Sequence, residues 1–417
     1  MKKTKTTLIV CTLALMACAA LLTACGGGGV SPREKALEME VSALQTELAA
    51  ADNMPSAAAP SAPLTATPAP TIDSSTLPAV AGLASRIDTF MRSQSSFSGA
   101  ILVAQKGQVQ ISQGYGLANR ELDMPNTPQT KFAIGTLTKP FTAMAVMILQ
   151  ERRKLSVQDP LCNYIKDCPA AWKAVTLRHL LTHTSGIPNY TASYIAEKIN
   201  VCQQYTPDEV IAYFKSLPLD FAPGDHWVDS DSEYFLLGMV IEKASGESYE
   251  KFIQESIFQP LGMSDSGYDH ANLIVKNRAS GYSLDQNILK FVNVPCRDAS
   301  LNYAAAGLYS TLEDLYKWDQ ALYTDQLVSK DTLKAIFTST VAVPSILATD
   351  MVYGYGWEIS HQSGRLVIGH AGRVPGFRAQ LLRYPDDQAT IIVLSNLDSL
   401  DLGVINKALA DITLGAK

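Results

Sequence analysis

The chain has 417 residues, 47% of them apolar, enough for a large core in two or three structural units or one composite domain. Its formal net charge is −6 and becomes more negative once Lys2, Lys3 and Lys5 leave with the leader described below. No basic cluster remains that would hold nucleic acid.

Residues 1–24 read as a secretory signal, with three early lysines ahead of an apolar run from Leu8 to Leu22. The run closes on Leu22-Thr23-Ala24-Cys25 and then Gly26–Gly29, which resembles the bacterial lipoprotein box. That resemblance implies a lipid on Cys25 and a protein anchored to a membrane of the bacterial envelope, facing the periplasm or the exterior. The plainer alternative is an uncleaved membrane anchor. Cys162, Cys168, Cys202 and Cys296 would remain in an oxidising compartment. Cys162 and Cys168 flank a short loop and are the expected pair, whereas spacing cannot establish Cys202–Cys296.

Residues 25–54 carry Leu37, Val41, Leu44, Leu48 and Ala51 at 4-3-4-3 spacing. Two heptads are too short for a coiled coil alone, so a frayed amphipathic helix is expected and oligomerisation through 37–51 is not. Residues 55–78, mostly Ala, Pro, Ser and Thr, read as an extended linker. The span 79–417 is then the folded domain.

That domain opens with helical periodicity over Leu83–Met91, then strand-like runs Gly99–Gln105 and Gln108–Tyr115 about Lys106-Gly107, a hairpin signal. Phe141 to Leu149 is apolar and long enough for a buried helix, with Thr136 suited to its N-cap and Pro140 to its first turn. From Asp159 to about Asp298 the pattern is helices and loops, with helical runs at Thr206–Ser216, Tyr234–Lys243 and Tyr249–Phe258. Strands return at Gly356–Ser360, Leu366–Gly369, Phe377–Tyr384 and Thr390–Ser395, before a last helix over Leu402–Ile412. The expected fold is α/β (α+β): one antiparallel sheet from both chain ends, flanked by helices, with a helical insertion lobe. A cleft belongs at the junction of the lobes.

Lys139 is the odd residue, a cation in a helix's first turn among apolar neighbours. Three residues from Thr136, it can bring an amine to a hydroxyl, as an activated nucleophile with a lysine base requires. The bland reading is a capped helix with a snorkelling lysine. Asp225, His226, Asp229, Asp231 and Glu233 crowd one stretch, but the calcium-loop pattern fails at Tyr234, so neither metal nor cofactor is expected. His183 reads as a satisfied core or turn histidine. Ser185 and Ser230 lack a lysine at the right spacing, and Trp227 and Tyr309 suit core packing better than a cleft wall.

Several blocks now align in order with one family. Phe132-Ala133-Ile134-Gly135-Thr136-Leu137-Thr138-Lys139 looks like a Ser-x-x-Lys nucleophile motif. Leu180-Leu181-Thr182-His183-Thr184-Ser185-Gly186-Ile187-Pro188 looks like a structural signature, and Pro223-Gly224 through Leu236-Leu237-Gly238 like the segment holding Tyr-x-Asn. Ala306–Thr311, Tyr353–Trp357 and Gly369-His370-Ala371-Gly372 with Pro375-Gly376-Phe377 follow, the last giving His-x-Gly in place of Lys-Thr-Gly. From about residue 83 to 415 the chain resembles the serine β-lactamase superfamily, in its class C β-lactamase, DD-carboxypeptidase and β-lactamase-related esterase branch.

The resemblance implies catalytic roles at Thr136, Lys139, Asp229 and His370. It implies an oxyanion hole from the backbone N–H groups of Thr136 and Arg373 beside Gly372, and a substrate-binding role for Asp231. Yet Thr136 stands where the family has serine, and Asp229-Ser230-Asp231 where it has Tyr-x-Asn. Threonine's methyl restricts χ1, a carboxylate is a weaker base than a phenolate, and Asp231 accepts but cannot donate. These changes argue against ordinary penicillin or D-Ala-D-Ala turnover. The expected function is an envelope-anchored hydrolase of an amide or ester, working by acyl transfer through a covalent intermediate. The alternative is an inactive relative binding a cell-wall peptide or a protein partner.

Overall fold

The computed structural model describes residues 82–285, 287–296, 298–338, 340–344 and 350–415. The expected signal, the expected lipidation at Cys25, the expected heptad helix and the expected linker lie outside the described residues.

The first described helix, α1 (Leu83–Ser93), is amphipathic and buries Ile87, Phe90 and Met91. It leads into β1 (Gly99–Gln105) and β2 (Gln108–Tyr115), the hairpin expected from the sequence, with Lys106 and Gly107 both at positive φ in the turn. α2 (Lys139–Glu151) is buried from Lys139 to Leu149, because its sequence is apolar on every side. Phe141 stacks on Trp318 at 4.4 Å, and the Thr142 hydroxyl is satisfied by donating to the Ala304 carbonyl at 2.7 Å. α3 (Leu177–Leu181) starts in a capping box between Thr176 and His179. α4 (Asp231–Ser245) has Asp231 and Glu233 in its first turn, where the helix dipole favours them, and ends on left-handed Gly246. α5 (Leu312–Ala321) is capped by Thr311.

The C-terminal part returns as β3 (Val341–Ala342), β4 (Val352–Tyr353), β5 (Glu358–Gln362), β6 (Arg365–Val374), β7 (Phe377–Tyr384) and β8 (Ala389–Ser395), then α6 (Leu402–Leu414). These strands and the N-terminal pair form one antiparallel sheet in the order β3-β4-β5-β6-β7-β8-β1-β2. Strands from the early and late parts of the described region thus pair at β8–β1, as the sequence led us to expect. β8 is buried throughout and its side chains alternate between two cores. Ile391 and Val393 pack with α1 and α6, while Ile392 and Leu394 face the core that holds α2, α4 and α5. The helical lobe sits on that second side.

The sequence reading needs three corrections in the lobe and sheet. The run over 206–216 is helical only at Pro207–Ile211; tighter i→i−3 bonds follow, and Pro218 disfavours a helical Leu217. The 159–298 stretch also contains a hairpin, Tyr282–Asp285 against Lys290–Asn293. The strand expected at Gly356–Ser360 starts two residues later, because Gly356 is in a turn at φ +79°. Both disulfides form, Cys162–Cys168 and Cys202–Cys296, with Cα separations of 5.3 and 5.4 Å.

Candidate active site

The site lies where the start of α2 meets β6. Gly135 has φ +55°, and a Cβ on it would fall 2.6 Å from the Arg373 backbone nitrogen. On the strand, a Cβ on Gly372 would fall 1.9 Å from the Ile134 carbonyl oxygen. The two glycines let a helical turn and a strand touch backbone to backbone. Gly372→Ala is expected to push them apart and destabilise the fold by about 3 kcal/mol or more. A thermal melt would show the drop, and an unchanged melting temperature would refute this packing.

Thr136 sits in this contact, within the 3₁₀ turn Gly135–Thr138, and is not the N-cap of α2. The 3₁₀ turn already satisfies Lys139 N–H through the Thr136 carbonyl. The Thr136 hydroxyl donates instead to the Ala371 carbonyl, at 3.1 Å.

Lys139 is fully buried. Its ammonium lies 2.5 Å from Asp229 Oδ1, 3.2 Å from Asp231 Oδ1 and 3.4 Å from His183 Nε2. Asp231 Oδ1 is close enough to attract the charge but falls short of ordinary hydrogen-bond geometry. Burial opposes the ammonium, but Asp229 and Asp231 outweigh it and hold its pKa above the usual lysine value. Burial likewise opposes the Asp229 carboxylate, and Lys139 and His183 overcome it, leaving Asp229 ionised well below the ordinary range. The Asp229 side chain keeps 58% of its surface open, so solvent screens its share of the pairing. The expected meeting of hydroxyl and amine is thus replaced by two separate engagements: Thr136 with β6, and Lys139 with the residues entering α4.

His183, at φ +56° in the turn after α3, is fully buried and fully partnered. Nε2 is 3.0 Å from Asp229 Oδ1, and Nδ1 contacts Glu233, whose other oxygen accepts the Ser185 N–H at 2.9 Å. Burial and Lys139 disfavour its cation, but Asp229 and Glu233 prevail and raise its pKa. It is a satisfied histidine, as read from sequence, and it also braces Asp229. Ser230 is buried and turned toward the Ile187 carbonyl, at 3.5 Å.

On β6, His370 donates Nδ1–H to the Ala371 carbonyl at 2.5 Å, since a carbonyl can only accept, and Nε2 then accepts from the Tyr353 hydroxyl at 3.1 Å. Burial and the Lys139 charge push its pKa down to about 3, so it is neutral. The Ala371 oxygen therefore receives both His370 and Thr136. Arg373 is exposed on β6, opposite Arg378.

Sequence reasoning gave no place in the site to Glu233, Tyr353 or Glu358. Glu233 carried a faint signal, as an acid in a helix's first turn. Tyr353 and Glu358 come from two strands 120 and 125 residues beyond Glu233, the end of the acidic stretch, and only the sheet brings them in. Glu358 opens β5 opposite Tyr353 and Gly369. Burial and the negative charge of Asp229 push its carboxyl up to about 7. A carboxyl whose pKa rises on folding stabilises the fold below its unfolded value and loses that contribution as pH climbs through the folded value. Glu358→Gln is therefore expected to raise stability at pH 8 by on the order of 2 kcal/mol and to change little at pH 4. Equal melting shifts at both pH values would overturn this.

Residues 83–414 match the family described as Beta-lactamase. The chain belongs to that family. Among its relatives, Penicillin-binding protein 4* of Bacillus subtilis (strain 168) is 33% identical over 317 residues, covering 72% of this chain and 68% of the relative. Among solved structures, a penicillin binding protein from Bacillus halodurans superposes with TM-score 0.69 at 27% identity, covering 79% of this chain and 98% of the other. The octameric penicillin-binding protein homologue from Pyrococcus abyssi gives TM-score 0.69 at 30% identity, covering 79% and 76%. A D-stereospecific amidohydrolase from Streptomyces, 23% identical with TM-score 0.68 over 82% of this chain and 100% of the other, shares the fold. The antiparallel sheet flanked by helices is thus the β-lactamase/transpeptidase-like architecture, and the family is one of hydrolases.

Proposed function

We propose that this chain is a slow acyl hydrolase, anchored in the bacterial envelope, that cleaves an amide or ester through an acyl intermediate on Thr136. One observation carries the reading: the Thr136 hydroxyl stands at the backbone contact between the α2 turn and Gly372-Arg373. There its own N–H and that of Arg373 would hold an oxyanion, the largest single source of rate in such chemistry.

Thr136 Oγ1 bonds to the substrate carbonyl carbon while the carbonyl electron pair moves onto oxygen. The hydroxyl proton passes to the Asp229 carboxylate. Collapse expels the amine or alkoxide, which takes that proton, and a water then cleaves the Thr136 ester by the same steps. Lys139, held as an ammonium, supplies positive charge and cannot serve as base. A carboxylate ionised as readily as Asp229 is a weak base, and turnover is slow for that reason. Asp231, beside the Lys139 ammonium, would act as an acceptor toward substrate.

A second reading, a catalytically inactive protein that binds a cell-wall peptide or a protein partner, draws support from the Thr136 proton being directed at the Ala371 carbonyl, which cannot take it. A fluorophosphonate or penicillin probe separates the two. The enzyme reading expects a mass shift on the peptide containing Thr136, and an unmodified Thr136 with no p-nitrophenyl ester hydrolysis favours the binder. The anchor is tested independently: Cys25→Ala is expected to move the protein out of the detergent phase on phase separation, and unchanged partitioning would reject lipidation.

A further inference from the structure

A cavity of about 230 Å³ opens in the helical lobe, and none of its walls is shared with Thr136, Lys139, Asp229 or His370. Its lining includes the carboxylates Glu242, Glu250 and Asp298 and the rings of Tyr205, Tyr268 and Tyr303, with neither lysine nor arginine. That volume is below the roughly 300–1,000 Å³ of drug-sized pockets and suits a side-chain-sized ligand.

The acids are held in place. Glu242 Oε1 accepts the Tyr249 N–H at 2.9 Å, Asp298 Oδ1 accepts the Ser300 N–H at 2.9 Å, and Glu250 Oε2 lies 2.8 Å from His270 Nε2. Tyr303, in the short helix Tyr303–Ala306, is 7% exposed, and its hydroxyl interacts with Glu242 but has no partner at ordinary hydrogen-bond length and angle. A buried hydroxyl without such a partner costs free energy unless something in the cavity completes it. Burial and then the Glu242 charge raise the Tyr303 pKa, and burial, Tyr249, Asp298 and Glu250 raise that of Tyr268. Of the charged and titratable side chains on the wall, three are carboxylates and one is His270. Among the described residues no three acidic or histidine side chains converge closely enough for a metal ion. Carboxylates set among tyrosine rings instead suit an organic ammonium, through charge-assisted hydrogen bonds and cation–π contact.

We propose that this cavity is a second binding site, taking the ammonium end of a small alkylamine or a lysine-type side chain. Ammonium hydrogens bond Glu242 and Asp298, the Tyr303 hydroxyl becomes satisfied, and the alkyl stem lies along Tyr205 and Tyr268.

Calorimetric titration of the full chain with 1,5-diaminopentane, and with 1,5-pentanediol as the uncharged control, tests this. Saturable binding of the diamine alone is expected, weakened about tenfold by Glu242→Gln and less by Glu250→Gln, which removes only a half-exposed charge of the lining. Asp229→Asn is expected to leave diamine binding unchanged. The proposal is overturned by no saturable binding at millimolar diamine, by equal binding of the diol, or by binding that survives both glutamine variants. Loss of binding in Asp229→Asn with retention in Glu242→Gln also overturns it, since the diamine would then sit in the catalytic cleft.

Discussion

Thr136→Ala is expected to reduce ester hydrolysis and probe labelling by about 10³-fold or more, the scale on which nucleophile deletions act. The fold should barely notice. The hydroxyl makes one hydrogen bond, to the Ala371 carbonyl, on a residue that is not fully buried, so stability falls by about 1 kcal/mol. Loss of activity with an intact melting curve therefore isolates the chemistry. Hydrolysis that survives the substitution removes Thr136 as nucleophile. Thr136→Ser sharpens the test, because it keeps the hydroxyl and removes the methyl that restricts χ1. With serine, the side chain can rotate away from Ala371, and turnover is expected to rise. If Thr136→Ser combined with Asp229→Tyr creates activity absent from the parent, the inactive-binder reading gains.

Asp319→Ala is expected to give the largest stability loss, about 3–5 kcal/mol, because it strands a buried charge. Asp319 is 0% and Arg383 2% exposed, and Arg383 Nε donates to Asp319 Oδ1 at 2.6 Å. Asp319 Oδ2 also accepts from the Thr390 hydroxyl at 2.6 Å, and the guanidinium stacks 4.5 Å from the Tyr323 ring. This network ties α5 to β7 and β8, so its loss separates helix from sheet. A melting temperature lower by on the order of 10 °C is the expected readout. Replacing both partners, Asp319→Leu with Arg383→Met, is expected to recover most of the loss, since no charge is then left unpaired. A full-strength loss in the double variant would show that geometry, not charge, holds the contact.

Local pattern carried the elements whose partners lie nearby in sequence. The hairpin of β1 and β2, the buried helix α2 and the last helix follow from turn chemistry and apolar runs, which depend on a few adjacent residues. The hairpin over 282–293 was missed because its strands are short and mostly half exposed, so burial leaves little alternation to read. At the site, the types and order of Thr136, Lys139, Asp229, Asp231, His370 and Gly372 were legible. Their pairing was not. A three-residue spacing puts Thr136 and Lys139 on one face, and a 3₁₀ first turn keeps them there, but the ammonium is drawn to two carboxylates 90 and 92 residues later.

What the chain determined by itself is the family, an antiparallel sheet built from strands near both ends with helices between, and a set of candidate site residues, because motif order and periodicity survive in one dimension. Only the tertiary structure decided the protonation states. Lys139 stays charged, His370 neutral and Asp229 ionised because burial penalises each charge and a specific neighbour relieves or compounds that penalty. Those neighbours come from α4, from the turn after α3 and from β4 to β6, and no spacing along the sequence announces that they meet.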